Sequence, residues 1–299
     1  MKKVQAALLP DGRRLHLHDG PIDLIIGADG EAGAIASAYH AAERRFETIL
    51  DELCAELPLL RRPTGEKPLG EVARRMWQAT RVLAAECFIT PMAAVAGSVA
   101  EEVLASMTGA APLARAFVNN GGDIAFHLAP GMAYDIGLVS RPDQPALFAT
   151  TRLRAEDPVR GIATSGWRGR SFSLGIADAV TVLAACASQA DSAATFIANA
   201  VDLPGHPAIE RVPARDIQPD NDLGARLVTR GVGPLQVNEI AAALDAGVAC
   251  ARGCLVVGYM TAAALHLAGD TRFVGQWLGR IDAGRQGEEI SGLGGGDPS

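Results

Sequence analysis

Two glycines and a carboxylate near the middle of the chain are well placed to do chemistry. The run Val118–Ile124 reads Val-Asn-Asn-Gly-Gly-Asp-Ile and has apolar stretches on both sides. This pattern predicts a strand, a tight turn and a second strand. Because glycines allow positive φ and close approach of a ligand to the main chain, we expect Asn120, Gly121 and Gly122 to line a ligand. Asp123 would orient that ligand or act as an acid–base group. An ordinary hairpin turn explains the same residues equally well.

A second candidate segment is the strand end Thr164-Ser165-Gly166. Hydroxyl groups and backbone N–H groups at such an end can bind a phosphate, so we expect these three residues to line the ligand too. A plain turn is the alternative, since Ser, Thr and Gly are common turn residues.

Asp178 interrupts an otherwise apolar stretch between Ser173 and Val182. A carboxylate that enters a core strand needs a partner, which can be a backbone donor, an arginine or a metal ion. We expect Asp178 to orient the ligand or to take part in acid–base work. The alternative is that it caps a turn before the strand.

Asp191 and Thr195 are four residues apart at the start of a predicted helix, so their oxygens share one helical face. A carboxylate and a hydroxyl suit a hard cation such as Mg²⁺, which prefers oxygen ligands. Asn199 continues the same stripe one turn later. The competing interpretation is that Asp191 caps the helix or complements its dipole, and that Thr195 fills space.

The histidines near the start of the chain and the five cysteines could bind a metal ion, but a structural interpretation is favoured for both groups. His16 and His18 share a strand face, but a metal site needs a third or fourth ligand, and two solvated histidines on an edge strand are favoured. The five cysteines are scattered among aliphatic residues and are interpreted as small buried hydrophobes.

Charge and hydropathy exclude several partners of the 299-residue chain. The formal net charge is −7 and no basic block is present, which argues against nucleic-acid binding. No apolar run reaches membrane-spanning length and no signal peptide precedes the first strand, so we expect no membrane partner and a cytoplasmic location. Alanine-rich helices would allow close packing between subunits of a homo-oligomer.

Periodicity predicts a mixed chain in which helices flank a mostly β middle, the α+β class. Two or three short strands are expected within 4–28. Residues 202–222 carry four prolines and are predicted to form an irregular loop. The predicted helices are 31–57, 69–85, 92–107, 189–201 and 235–252. The predicted strands are 115–119, 123–128, 133–140, 147–153, 159–164, 171–175 and 178–185, with a final strand pair near 255–275.

Four stretches of the chain, in this order, resemble the ApbE-like superfamily, whose best-known members are Mg²⁺-dependent FAD:protein FMN transferases. They are Ala94–Gly97, Val118–Ile124, Ala163–Gly166 and Ala190–Thr195. The ordered set carries the resemblance over roughly residues 20–200. A further likeness, at Ser173–Val182, is to a branch that recurs in organisms with tetrahydromethanopterin-linked one-carbon chemistry.

The resemblance implies an ApbE-like fold, an antiparallel sheet packed with helices in one compact unit, here 1–283. The tail, 284–299, is Gly-rich and polar, and we expect it to be disordered. The resemblance also implies a small-molecule ligand such as FAD or a related flavin or nucleotide, and Mg²⁺ bound by Asp191 and Thr195. The expected reaction is transfer from a phosphoanhydride. The alternatives are an enzyme that makes a one-carbon carrier of the tetrahydromethanopterin or methylofuran type, with a non-flavin ligand, and a non-catalytic binding or assembly protein.

Two positions depart from the flavinyltransferase pattern. Ala96 stands where those enzymes carry a lysine, and Ser173-Leu174-Gly175-Ile176 replaces a segment that contains a histidine and a proline. Neither Ala96 nor the Leu174-Gly175 stretch can supply a positive charge or a proton. We therefore do not expect efficient FMN transfer to a protein.

Overall fold

The computed structural model describes residues 4–139 and 147–277, and within these ranges the chain forms thirteen strands and six α-helices. The strands are β1 (Gln5–Leu8), β2 (Leu15–Asp19), β3 (Ile22–Asp29), β4 (Arg115–Asn120), β5 (Asp123–Leu128), β6 (Ala133–Val139), β7 (Leu147–Arg154), β8 (Gly161–Ser165), β9 (Ala179–Ala184), β10 (Ile209–Pro213), β11 (Leu227–Val232), β12 (Ala262–Leu267) and β13 (Asp270–Gly275). The helices are α1 (Ala32–Leu60), α2 (Glu71–Thr80), α3 (Val95–Ala110), α4 (Ala187–Ala200), α5 (Ala214–Ile217) and α6 (Val237–Val256).

Nine of these strands form one sheet in the order β1-β2-β3-β4-β5-β8-β9-β12-β13, and all of its neighbours are antiparallel. β6 pairs with β7 and β10 pairs with β11 in two small separate sheets. Burial alternates along β4, as expected where one face of a strand packs on helices, whereas all of β9 is buried because both of its faces are covered.

Helices cover one face of the large sheet with two adjoining hydrophobic cores. Around β2, β3 and β4 the core includes Phe46 of α1 and Met107 of α3, and around β9 and β12 it includes Ile197 of α4. A third cluster, with Phe126 and Leu153, buries the opposite face of the sheet beneath the β6–β7 hairpin. The small side chains of the helices let them lie close to the strands, which compensates for an aromatic content of only 5%.

The expectation of an α+β molecule with a large antiparallel sheet is confirmed. Within the two described ranges, no helix is both long and apolar enough to cross a membrane. The predicted tail, 284–299, and the last residues of the predicted domain, 278–283, lie outside the described residues.

Three predictions about elements were wrong. Residues 171–175 form no strand, because their backbone groups bond to neighbours outside the sheet: Leu174 N donates to Asn199 Oδ1 and Ser173 O accepts from Thr229 N. The proline-containing segment 202–222 is not wholly irregular, since it contains β10 and α5. The helix predicted over 69–85 is broken into α2 and a short 3-10 turn at Leu83–Ala85.

Candidate functional site

The sheet opens where β5 meets β8, and the candidate residues gather at this opening. Two residue pairs, Ile124 with Ile162 and Ala125 with Gly161, join the two strands, and Phe126 N donates to Arg160 O beside them. Toward the start of β5, the backbone pairing is replaced by a side-chain bond: Asp123 Oδ1 accepts a hydrogen bond of 3.2 Å from the backbone N–H of Thr164. A side chain therefore continues the connection between two strands that have already separated.

Helix α4 brings Asp191 to the same place. Its sequence is rich in alanine, and none of its 14 residues is exposed. Two glycines permit this close packing: a Cβ at Gly97 would lie 2.3 Å from Ala187 O, and one at Gly161 would lie 2.1 Å from Cys186 C. The first turn of α4 is thereby fixed between α3 and β8.

Asp191 is bound to the start of α3. Its Oδ2 accepts a hydrogen bond of 2.9 Å from Gly97 N, and the backbone of Ala96 also donates to the carboxyl group. Burial first, and next the neighbouring carboxyl of Asp123, raise the pKa of Asp191 well above its usual value, although these hydrogen bonds oppose the rise. The motif Ala94–Gly97 thus contacts the motif Ala190–Thr195 through main-chain donors.

Asp123 is half-buried as a residue, but protein atoms surround its carboxyl group. This burial raises the pKa of Asp123 to about 7, while the Thr164 N–H and the charge of Arg170 act in the opposite direction. Two carboxyl groups that repel each other in a poorly solvated space cannot both ionise easily. Either a proton or a cation would relieve the repulsion.

The β4–β5 turn is as predicted, with Gly121 at φ 68° and Gly122 at φ 116°. Asn120 is buried and its Nδ2 donates to Ala96 O at 3.2 Å, so this side chain holds the Ala94–Gly97 segment in place. Gly121 lies against Arg170: a Cβ there would lie 2.0 Å from Nη2 of the guanidinium. That Asn120, Gly121 and Gly122 line a ligand stays a prediction.

The end of β8 joins this group through hydroxyl groups. Thr164 Oγ1 lies 2.8 Å from Thr181 Oγ1, and Thr195 Oγ1 donates to Ser165 Oγ at 3.5 Å. Gly166 packs directly on the backbone just before β9, since a Cβ at this glycine would lie 2.6 Å from Asp178 O. Thr195 and Ser165 therefore approach each other from a helix and a strand, which the sequence pattern alone did not connect.

Asp178 uses both carboxylate oxygens within the protein. Oδ1 accepts from Arg168 Nε at 2.5 Å and from Trp167 Nε1 at 3.2 Å, and Oδ2 accepts from Ala268 N at 2.7 Å. These bonds tie the turn after β8 to the β12–β13 turn. A catalytic part for Asp178 stays a prediction, and the geometry gives this side chain an anchoring contact instead.

Asn199 does not extend the Asp191–Thr195 stripe into the site. Its Oδ1 accepts from Leu174 N at 2.9 Å and lies 3.4 Å from Ser173 Oγ. The expectation that the three polar residues of α4 form one functional row was therefore wrong for Asn199, because eight residues of helix turn its side chain toward the 173–175 segment.

Sequence reasoning missed two charged residues. Arg170 lies beside Gly121 and Asp123, and Glu101 of α3 accepts a hydrogen bond of 2.5 Å from Ser188 N in the first turn of α4. The signal for Arg170 was the pair of arginines in Trp-Arg-Gly-Arg, directly after the strand end. Nothing local in the sequence marks Glu101, which caps a helix 87 residues away.

The opening between β5 and β8 carries oxygen atoms of the kind that a divalent cation prefers. In the described part of the chain, no three His, Cys, Asp or Glu side chains are arranged to hold a metal ion. The carboxyls of Asp123 and Asp191 with the hydroxyls of Thr195 and Ser165 are hard donors, however, and Mg²⁺ commonly takes one or two carboxylates and completes its shell with water or phosphate. The excess of buried carboxyl groups over nearby cations favours such an ion.

The other candidate ligands lie outside this group. His16 and His18 of β2 approach the two oxygens of Asp23 at 3.2 and 3.4 Å, and all three side chains are partly exposed. Their strand is not at the edge of the sheet, because β1 covers it. The five cysteines are free thiols. A groove of ≈ 470 Å³ between α1 and α3 contains none of the candidate residues.

The sequence matches one protein family and several individual relatives. The sequence profile of a family described as AbpE bacteria matches residues 6–273. A UPF0280 protein of Methanopyrus kandleri is 36% identical over 186 residues, or 59% of this chain and 69% of the relative. A UPF0280 protein of Methanococcoides burtonii is 41% identical over 123 residues, or 41% of this chain and 50% of the relative. For the latter and for the UPF0280 protein of Methanothermobacter thermautotrophicus, the chain spans about half of the relative's length.

One solved structure overlaps nearly the whole chain. The apo crystal structure of Pseudomonas stutzeri flavinyl transferase ApbE is 14% identical, covers 91% of this chain and 95% of its own, and gives a TM-score of 0.41. That score is too low to equate individual positions in the two proteins.

Proposed function

The chain belongs to the AbpE bacteria family of ApbE-like proteins, and from that premise we propose that it binds a flavin- or nucleotide-type ligand with a divalent cation and acts on the ligand's phosphoanhydride as a transferase. The observation that carries the proposal is the pair of carboxyl groups, Asp123 and Asp191, buried together at the opening between β5 and β8. The proposed setting is the cytoplasm.

Asp191 and Thr195 are the proposed cation ligands, since they lie one turn apart on α4, where Thr195 Oγ1 reaches Ser165 Oγ at the end of β8. A cation bound there would neutralise charge on a leaving phosphate. The glycines of the β4–β5 turn and the Thr164–Gly166 segment line the proposed ligand site. Their small side chains and exposed backbone leave room for a phosphate to approach the main chain.

Asp123 is the proposed acid–base group. Its pKa of about 7 allows it to exchange a proton near neutral pH, which is where a general base is most effective. Oδ1 is oriented by the Thr164 N–H. Oδ2 would take the proton of an attacking hydroxyl group.

Protein flavinylation is not the proposed activity, because the Leu174–Gly175 segment has a packing function. Leu174 N bonds Asn199 Oδ1, and a Cβ at Gly175 would lie 2.1 Å from Ala198 O, so the segment is fixed against the end of α4. It offers no proton donor or positive charge, and Ala96 offers none either. Loss of a positioned acid–base group costs on the order of 10²–10⁴-fold in rate.

A second candidate function follows from the same observation. A site that lacks the lysine and histidine of flavinyltransferases can serve a different phosphorylated ligand, such as an intermediate in the synthesis of a one-carbon carrier. A site that binds the cation without turnover would correspond to a binding or assembly protein.

Calorimetric titration with Mg²⁺ or Mn²⁺ tests the proposal. We expect one binding site that Asp191→Asn abolishes and that Asp51→Asn, at an exposed position of α1, leaves unchanged. Equal binding by the Asp191→Asn variant would refute the cation assignment.

The absorbance spectrum then separates the ligands. A protein that takes up added FAD in the presence of Mg²⁺ supports a flavin, and one that binds the cation but no FAD supports the second candidate. Mass analysis of an acceptor peptide incubated with the protein, FAD and Mg²⁺ should show no rapid FMN adduct. A rapid adduct would show that Asp123 or another residue replaces the missing lysine and histidine.

A further inference from the structure

We propose that Arg170, seated against Gly121, is the residue that binds the ligand's phosphate and supplies the positive charge which position 96 lacks. This inference rests on the proposed function, because it assigns the anionic partner of the same site. It also defines the ligand class: a compound whose phosphate groups reach the cation ligands and Arg170 together, such as a diphosphate-bridged nucleotide.

The first argument is that the guanidinium of Arg170 keeps its hydrogen-bond donors unused within the described residues. Arg170 is exposed, and it makes no hydrogen bond or ion pair with the residues that the structure describes. Arg168, two residues earlier, is bound to Asp178 at 2.5 Å. Of the two arginines in this turn, Arg170 is therefore the one with donors to offer an anion, and a guanidinium binds phosphate with two parallel hydrogen bonds.

The second argument is steric. A Cβ at Gly121 would lie 2.0 Å from Nη2 and 3.1 Å from Cζ of Arg170, so any side chain at this position would displace the guanidinium. Gly121 also has φ 68°, a conformation that most side chains disfavour. The turn thus presents bare backbone to the arginine, and a side chain at position 121 would compete with the guanidinium for this space.

The third argument is electrostatic. The charge of Arg170 is near enough to Asp123 to lower the pKa of that carboxyl against the effect of burial. A phosphate bound by Arg170 would therefore lie close to Asp123 and to the proposed cation ligands. Inorganic pyrophosphate is the smallest probe that can contact both the cation and the arginine.

The experiment measures pyrophosphate binding by calorimetry in the presence of saturating Mg²⁺. We expect Arg170→Gln to weaken binding on the order of 10- to 100-fold, the usual cost of a charge-assisted hydrogen bond. Arg170→Lys should show a smaller loss of affinity, because lysine keeps the positive charge and lacks only the two parallel N–H donors of the guanidinium. Arg44→Gln, at an exposed site on α1, is the matched control and should bind as the unaltered protein does.

A second pair of variants tests the steric argument. Gly121→Ala places a methyl group against the guanidinium and should weaken pyrophosphate binding. Gly131→Ala is its control, because Gly131 has φ 79° and no atom within 4 Å of an added Cβ, so it carries a similar backbone cost without the collision.

The outcomes distinguish this inference from the proposed function. If Asp191→Asn abolishes cation binding while Arg170→Gln binds pyrophosphate within twofold of the unaltered protein, the assignment of Arg170 is wrong and the proposed function stands. Equal losses in Arg170→Gln and Arg44→Gln would also overturn it, since net charge alone would then explain the effect. Failure of the unaltered protein to bind any divalent cation would refute both the proposed function and the assignment of Arg170.

Discussion

At the scale of single residues, the proposed chemistry depends on two carboxyl groups that occupy one poorly solvated space. Asp123 is fixed by a strand N–H and Asp191 by the N–H groups at the start of a helix, so neither can turn away from the other. Each disfavours the charge of its neighbour. In the absence of a cation the protein is therefore expected to keep a proton between them at neutral pH.

This pair predicts an unusual dependence of stability on pH. The pKa of Asp123 is raised in the folded protein to about 7 from 3.8, so the folded state binds a proton that the unfolded state releases between these values. Its stabilising effect is complete below about pH 4 and is lost as the pH rises through about 7. Asp191 contributes in the same direction.

Urea unfolding in EDTA at pH 5 and pH 8 measures this effect. The unaltered protein should lose free energy of unfolding on going to pH 8, with Asp123 contributing on the order of 2 kcal/mol, and Asp123→Asn should flatten the profile. Asparagine keeps the acceptor for Thr164 N and has no charge to lose. Parallel profiles for the two proteins would mean that Asp123 is ionised already at pH 5.

At the scale of elements, the position of α4 decides the geometry of the site. Its N-cap residue, Cys186, makes no side-chain capping bond, and no acidic residue lies in its first turn. Glu101 of α3 supplies both missing parts, because Oε1 accepts from Ser188 N while its charge faces the positive end of the helix dipole. A neighbouring helix thus caps the helix that carries Asp191.

Removing that cap should loosen the site. We expect Glu101→Ala to lower the free energy of unfolding by about 1–3 kcal/mol, the cost of a buried donor without an acceptor, and to weaken cation binding by Asp191. Glu102→Ala is the control, since Glu102 bonds Arg45 and Arg75 and does not contact α4 in the bonds described. Cation affinity that is equal in the two variants would show that α4 keeps its position without Glu101.

Local patterns predicted the elements that carry the chemistry better than they predicted the connections between them. The β4–β5 hairpin and the helix of Asp191 and Thr195 follow from turn residues and periodicity, which act within a few positions. Arg170 and Asn199 were misjudged because their partners, Gly121 and Leu174, come from distant parts of the chain. Residues 171–175 have the composition of a strand, but their backbone groups bond to Asn199 and Thr229 instead of to a strand of the large sheet.

At the scale of the whole molecule, the site lies where the two halves of the large sheet meet. The strands β4 and β5 belong to the first half and β8 and β9 to the second, and two residue pairs join β5 to β8. The two cores beneath the sheet adjoin at this line. In the proposed site, the cation and the ligand would therefore bridge the two halves of the sheet.

Bridging predicts a gain in thermal stability when Mg²⁺ and pyrophosphate are added together. Ligands that bind only the folded state raise the melting temperature by mass action, with about 2.7 kcal/mol expected at a hundredfold excess over Kd. Differential scanning calorimetry measures the shift, and Asp191→Asn should show none. A shift of equal size in that variant would locate the binding elsewhere.

The packing of α4 between α3 and the sheet also has a consequence for motion. Nine of its 14 residues are buried, so their amide hydrogens should exchange with solvent mainly when the layers around the helix separate. The 166–170 turn, with Gly169 and Arg170 at the surface, should exchange far sooner. The buried part of α4 would then exchange slowly with or without a ligand, and a bound ligand would be detected by slower exchange in the 166–170 turn.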